Sequence, residues 1–330
     1  MIHFTFPIAS RPAFRMGGAL AALAIAGGTL LLASTAMAGA SDDDTDPHAA
    51  RSSAQHSDEG GGQRVDERRP LNPDGHLFVS NVAGSLRVQT WDRSEVQVSG
   101  ELGEGVDKLE LSGDAANLSI IVRLPKHSHH SGNTDLLLNV PVGAQVALDT
   151  VSADVAVQGS QGPVSIKTVS GDVGLQLASP EVQVQTVSGD LTLVAPSRDT
   201  RVNSVSGDLH MSGVRDRLVA ETVSGNVQLS GGAFSELRLT SVSGDMHLDV
   251  SLADHAEVRG STLSGDITLV VPGATNGTAE LKSFSGDTEC QGGKLASVSS
   301  GRRHEYFWGD GSGTRIDLSS FSGDIRLERK

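Results

Sequence analysis

The sequence predicts an all-β chain: a single-domain β-solenoid of stacked coils, about 18 residues per coil, with an irregular N-terminal cap. Three observations predict it. First, a Ser-Gly-Asp triplet or near copy starts at Ser152, Ser170, Ser188, Ser206, Ser224, Ser243, Ser264, Ser285 and Ser322, at intervals of 18, 18, 18, 18, 19, 21, 21 and 37 residues. The last interval is close to two periods, and a fixed period near 20 residues marks repeated coils. Second, apolar and polar residues alternate on both sides of the triplet, the period of a half-buried strand. Third, only 3% of the chain is aromatic, while 37% is hydrophobic. Narrow coils filled by aliphatic side chains fit that composition.

Taken in order, residues 1–38 read as a signal peptide. Arg11 and Arg15 form a basic segment, Met16 to Ala33 is apolar, and Ala36-Met37-Ala38 is an A-x-A cleavage site. No Cys lies near that site, which argues against a lipid anchor, and after cleavage no membrane-spanning segment is expected. Cleavage removes two Arg and no acid, so 24 basic residues face 40 acidic ones, and the net charge moves from −14 to −16. Such a chain should not seek nucleic acid or an anionic membrane. Residues 39–72, rich in Ser, Asp, Gly, Glu and Arg, read as a disordered leader. The repeat domain is expected over 73–330, with less regular cap coils at 73–145 and regular coils at 146–330.

In the regular coils the repeat reads as columns. The residue after Asp is Val155, Val173, Leu191, Leu209, Val227, Met246, Ile267, Thr288 or Ile325. Two residues on come Val157, Leu175, Leu193, Met211, Leu229, Leu248, Leu269, Cys290 and Leu327, with mostly polar residues between. The residue before Ser is apolar in all nine copies, from Val151 to Phe321. The preceding strand alternates as well, as at Val182 and Val184. Each coil is thus strand, corner, strand and a second turn marked by Gly, Pro or Ser. Gly suits the sharp corner, and Ser and Asp side chains can accept backbone N–H bonds lost at the bend. Ala153 takes the Gly position in the first copy, so a positive φ is not obligatory there.

The column Asp154, Asp172, Asp190, Asp208, Asp245, Asp266, Asp287 and Asp324 has two readings. Stacked carboxylates could form a cation ridge, since Ca²⁺ takes oxygen ligands. They could equally be hydrogen-bonding turns, and Asn226 in the same column favours that role. No metal or other cofactor is expected. Lys126-His127-Ser128-His129-His130 has loop composition and lacks spaced partner ligands. Cys290 falls in a core column and reads as filler. Arg302, Arg303, His304, Tyr306 and Trp308 interrupt the last two copies. Aromatics beside Arg are a candidate binding surface, or an irregular coil packed on a C-terminal cap. Charged Arg326, Glu328, Arg329 and Lys330 would discourage end-to-end pairing of a terminal strand. No G-x-S-x-G, H-E-x-x-H or phosphate loop is present, so the chain reads as no enzyme.

The repeated T-V-S-G-D-V/L resembles the bacterial putative-adhesin family. So do Gly84-Ser85-Leu86-Arg87-Val88 with Trp91-Asp92, Leu136 to Pro141, and Ser322 to Ile325. Members are exported proteins of β-strand repeats, catalogued largely as a domain of unknown function. The resemblance spans about residues 75–330 and brings no catalytic residues with it. The expectation is a non-catalytic, adhesin-like or scaffolding protein of the periplasm or cell surface, with envelope glycans or surface proteins as partners. A polysaccharide-processing β-helix enzyme and a calcium-stabilised structural solenoid are the alternatives.

Overall fold

The computed structural model describes residues 62–125, 132–299 and 302–330. The signal peptide, most of the leader and the Lys126–His130 cluster lie outside the described residues. Every regular element described is a strand. No helix among the described residues is long and apolar enough to cross a membrane.

In chain order the strands are β1 (Gln63–Pro70), β2 (His76–Trp91), β3 (Glu95–Leu102), β4 (Lys108–Gly113), β5 (Asn117–Arg123), β6 (Thr134–Pro141), β7 (Gln145–Gln158), β8 (Val164–Ser170), β9 (Val173–Gln176), β10 (Glu181–Ser188), β11 (Leu191–Val194) and β12 (Asp199–Ser206). They continue as β13 (Leu209–Ser212), β14 (Asp216–Ser224), β15 (Val227–Ser243), β16 (Met246–Ser264), β17 (Ile267–Val271), β18 (Gly277–Ser285), β19 (Thr288–Cys290), β20 (Lys294–Ser299), β21 (Arg303–Trp308), β22 (Thr314–Ser322) and β23 (Ile325–Arg329).

Two parallel ladders run side by side. In one, β7, β8, β10, β12 and β14 pair in register, so that Val146, Val164, Val182, Thr200 and Leu218 line up. In the other, β7, β9, β11, β13 and β15 align Val155, Val173, Leu191, Leu209 and Val227. Strands β2, β7, β15 and β16 bend through a turn and serve both ladders. The inward columns meet between the ladders. Val182, Val184, Leu191 and Leu193 are fully buried, and so are their counterparts along the stack except Thr288 and Cys290 of the outer coil, which are half-buried. This is the alternation read from the sequence. A single coil could not bury its own apolar face; neighbours share both the ladder bonds and the core.

Both ends depart from parallel pairing. At the N-terminal end, β6 pairs antiparallel with β3, β3 with β1, and β5 with β4. Strand β1 lies inside the stretch read as a disordered leader, which the fold enters ten residues before 73. Its sequence hides the strand: only Val65 is partly buried, because β1 is an outermost strand held by its ladder to β3.

At the C-terminal end, chain order and stack order separate. Strand β22 lies between β16 and β18, and β23 lies between β17 and β19. The chain therefore builds its outer coil first, turns through the antiparallel β20–β21 pair, and returns to insert its last two strands beneath. That detour accounts for the 37-residue interval. Strand β23 is consequently no terminal edge. Arg329 is drawn into the end of the stack, donating to the Thr275 carbonyl at 2.8 Å and lying over the Trp308 ring.

Candidate functional site

The repeated corner is where the chain repeats its chemistry, and its hydrogen bonds are systematic. The Asp172 N–H donates to Asp154 Oδ1 at 3.0 Å, Asp190 to Asp172 at 2.9 Å, and Asp208 to Asp190 at 2.8 Å. The ladder continues from Asn226 to Asp208 at 2.8 Å, Asp245 to Asn226 Oδ1 at 3.1 Å, and Asp266 to Asp245 at 2.9 Å. It then follows stack order: Asp324 donates to Asp266, and Asp287 to Asp324, each at 2.8 Å. Every side chain of the ladder except that of Asp287, in the outermost coil, thus accepts a backbone N–H at the bend. Asn226 fills the position with a neutral amide of the same geometry, so negative charge is not what the position requires. No three acidic, His or Cys groups gather at one point among the described residues.

Two more columns support the bend. Buried Thr168, Thr186, Ser204 and Thr222 donate to the carbonyls of Ser170, Ser188, Ser206 and Ser224 at 3.1–3.4 Å. The glycines at 171, 189, 207, 225, 244, 265 and 323 have φ between +115° and +154°. Ala153 does not, as its presence in that column implied, and neither does Gly286.

What the corner turns outward is apolar. Val151, Val169 and Val187 are 46–49% exposed, and Leu263, Phe321 and Phe284 are 41–53% exposed. In stack order these residues, with half-buried Val205, Val223 and Val242 between them, make one unbroken row beside the carboxylates. At about 4.8 Å per strand the row is on the order of 40 Å long. Phe321 and Phe284 stack face to face at 4.8 Å, and the Arg302 guanidinium lies 3.9 Å from the Phe284 ring centre. The outer face of the first ladder differs. There Arg201 pairs with Glu181 and Asp199, Arg217 and Arg238 with Glu236, Arg259 with Glu257, and Arg315 with Asp317. Such exposed pairs contribute ~0–1 kcal/mol each and leave that face electrically satisfied.

Residues 302–308 are divided between surface and core. Arg302 is exposed on the phenylalanine end of the row. Arg303 bridges Glu280 at 2.7 Å and Glu305 at 3.2 Å. His304 Nδ1 is in hydrogen-bond contact with the Thr288 hydroxyl. Tyr306 is half-buried, and burial raises its hydroxyl pKa. Trp308 is 4% exposed. This strand therefore covers the outer coil, and of the five candidates only Arg302 and Arg303 are exposed. Cys290 is half-buried rather than fully so, because β19 has a neighbour on one side only. Burial still pushes its thiol up to about 11, which leaves it protonated at neutral pH. His210 and His247 are exposed on the second ladder with Gln228 between them.

A family model described as Toastrack DUF4097 matches residues 84–328. The chain belongs to the Toastrack DUF4097 family. No curated protein matches the chain. Among solved structures, a putative adhesin from Bacteroides fragilis NCTC 9343 shares 11% identity over 80% of this chain and 97% of its own, with a TM-score of 0.36. A putative lipid binding protein from Parabacteroides distasonis ATCC 8503 shares 12% identity over 81% and 98%, with a TM-score of 0.40. A putative cell adhesion protein from Clostridium sporogenes ATCC 15579 shares 10% identity over 81% and 100%, with a TM-score of 0.24.

The Toastrack repeat, seen in this chain, divides its labour along the motif T-V-S-G-D. Thr, Ser, Gly and Asp hold the bend, the Ser188 and Ser206 hydroxyls donating to the Val169 and Val187 carbonyls of the neighbouring coil at 3.4 Å. The Val position alone is free of that work and faces solvent. Sequence reasoning recorded the column as apolar without placing it outside. The signal was available: Ile166 and Thr168 point inward, so strand parity sends Lys167 and Val169 outward.

Proposed function

We infer that this Toastrack chain is a non-catalytic binding and scaffold protein of the bacterial envelope, exported by residues 1–38. In this reading residues 73–330 are a β-solenoid of about 18 residues per coil with an irregular cap at 73–145. The observation that carries the reading is the continuous Val/Leu/Phe row. Solvent-exposed apolar residues are ordinary when scattered, but a long contiguous stripe rimmed by polar groups marks an interaction surface. The flanking carboxylates select the partner. Each corner Asp except Asp287 of the outermost coil spends one oxygen on the next coil's N–H and keeps the other available. The matching surface is a protein face with an apolar stripe edged by Lys and Arg.

The test is co-sedimentation of the purified mature chain with isolated envelopes. Wild type is expected in the pellet, retention falls with added salt, and no new reducing ends appear in the supernatant. A Val169→Asp, Val187→Asp, Leu263→Asp variant is expected to stay soluble and unbound while melting close to wild type. Retention unchanged by that variant would count against the row as the binding surface. Release of reducing sugars would replace the reading with the polysaccharide-processing one.

A further inference from the structure

A second surface has a different chemistry. Strands β4, β5, β2 and β7 lie side by side near the N-terminal end, and their outward residues form two adjacent rungs. One rung runs Ser112, Ser119, Phe78, Ala147. The next runs Asn117, His76, Gln145. Together they line an open depression of about 270 Å³. Phe78 is 37% exposed although Leu77 and Val79 on either side of it are fully buried.

Three features define what would fit. The Phe78 ring has only small side chains as rung neighbours, so a flat ligand can approach it closely. The Asn117, His76 and Gln145 side chains form no hydrogen bond among the described residues, leaving two amides and an imidazole for a ligand. No Asp, Glu, Lys or Arg lines the depression, in a chain of net charge −14. An ionic ligand would find no counter-charge there. A neutral ligand with one apolar face and a hydroxyl-bearing edge would satisfy both rungs: its C–H face on the aromatic ring, its hydroxyls on the amides.

We propose that the Phe78 depression binds a neutral pyranose ring, as one residue of an oligo- or polysaccharide. The site is independent of the valine and phenylalanine row. Phe78 supplies the platform, and Gln145 and Asn117 orient the ring from the neighbouring rung. The shallow, open rim admits an internal residue of a longer chain.

The test is saturation-transfer NMR of the mature chain with cellohexaose, maltohexaose, laminarihexaose and chitohexaose, with hexagalacturonate as the anionic control. At least one neutral hexasaccharide is expected to receive saturation at its ring C–H protons. Phe78→Ala is expected to weaken binding by about tenfold or more, and Gln145→Leu by a smaller factor. Both residues are partly exposed, so the variants are expected to melt like wild type. A Phe284→Ser, Phe321→Ser variant, which damages the other surface, should bind sugar unchanged. Binding by none of the four neutral oligomers, wild-type binding by Phe78→Ala, or preference for hexagalacturonate would each overturn the proposal.

Discussion

A Gly207→Ala variant loses about 3 kcal/mol of stability and melts several degrees below wild type. Gly207 has φ +115°, a conformation that residues with a Cβ rarely adopt. A Cβ there would sit 2.2 Å from the carbonyl oxygen of Gly189 and 2.7 Å from its carbon. That obstacle is backbone of the neighbouring coil. It cannot rotate aside as a flexible side chain would, because Asp190 and Asp208 tie the two coils together one residue away. The control lies in the same column. Ala153 occupies the position without a positive φ, so Ala153→Gly should cost no more than the ~1 kcal/mol of added chain entropy. Thermal and denaturant melts of the two variants check the contrast. Equal effects would mean that the corner tolerates a Cβ in every coil.

Trp308→Ala is the second large effect, with an expected loss of about 3–5 kcal/mol. Trp308 pairs with Gly277 across the β18–β21 ladder, is 4% exposed, and carries the Arg329 guanidinium 5.3 Å from its ring centre. Removing the indole leaves a cavity at the end of the core. It also loosens the antiparallel strand that covers β18. An uncovered strand edge recruits other chains, so the variant is expected to self-associate as well as melt early. Light scattering alongside the thermal melt reads both. A variant that melts normally and stays monodisperse would show that β21 is not what seals this end.

These two positions also show what sequence could and could not convey. The period and the inward columns were legible because Leu191, Leu193 and their counterparts repeat at fixed spacing and all serve one core. The hydrogen-bonding reading of the Asp column rested on a single exception, Asn226. Stack order at the C-terminal end was not legible. Sequence spacing says that about two periods separate Ser285 from Ser322, but not that the later coil slides beneath the earlier one. That placement is a choice between two open ladder edges with the same Ser-Gly-Asp chemistry. Strand β1 was hidden because an outermost strand with one partner needs no apolar alternation. The aromatic run drew attention as a surface for the reason it is partly core: Trp308 is large enough to close the end of a stack built from Val and Leu. Phe78, by contrast, looked like part of an apolar strand, and only the burial of Leu77 and Val79 places it outside.

In the proposed function the corner spends Thr, Ser, Gly and Asp on holding the stack and offers its Val/Phe row to a protein partner. Photocrosslinking from single positions in the intact envelope tests it most directly. Benzoylphenylalanine placed at Val187, on the row, is compared with the same residue at Thr192, exposed on the second ladder. Discrete, protease-sensitive adducts are expected from position 187 and none from position 192. Adducts from both positions alike, from position 192 alone, or from neither would contradict it.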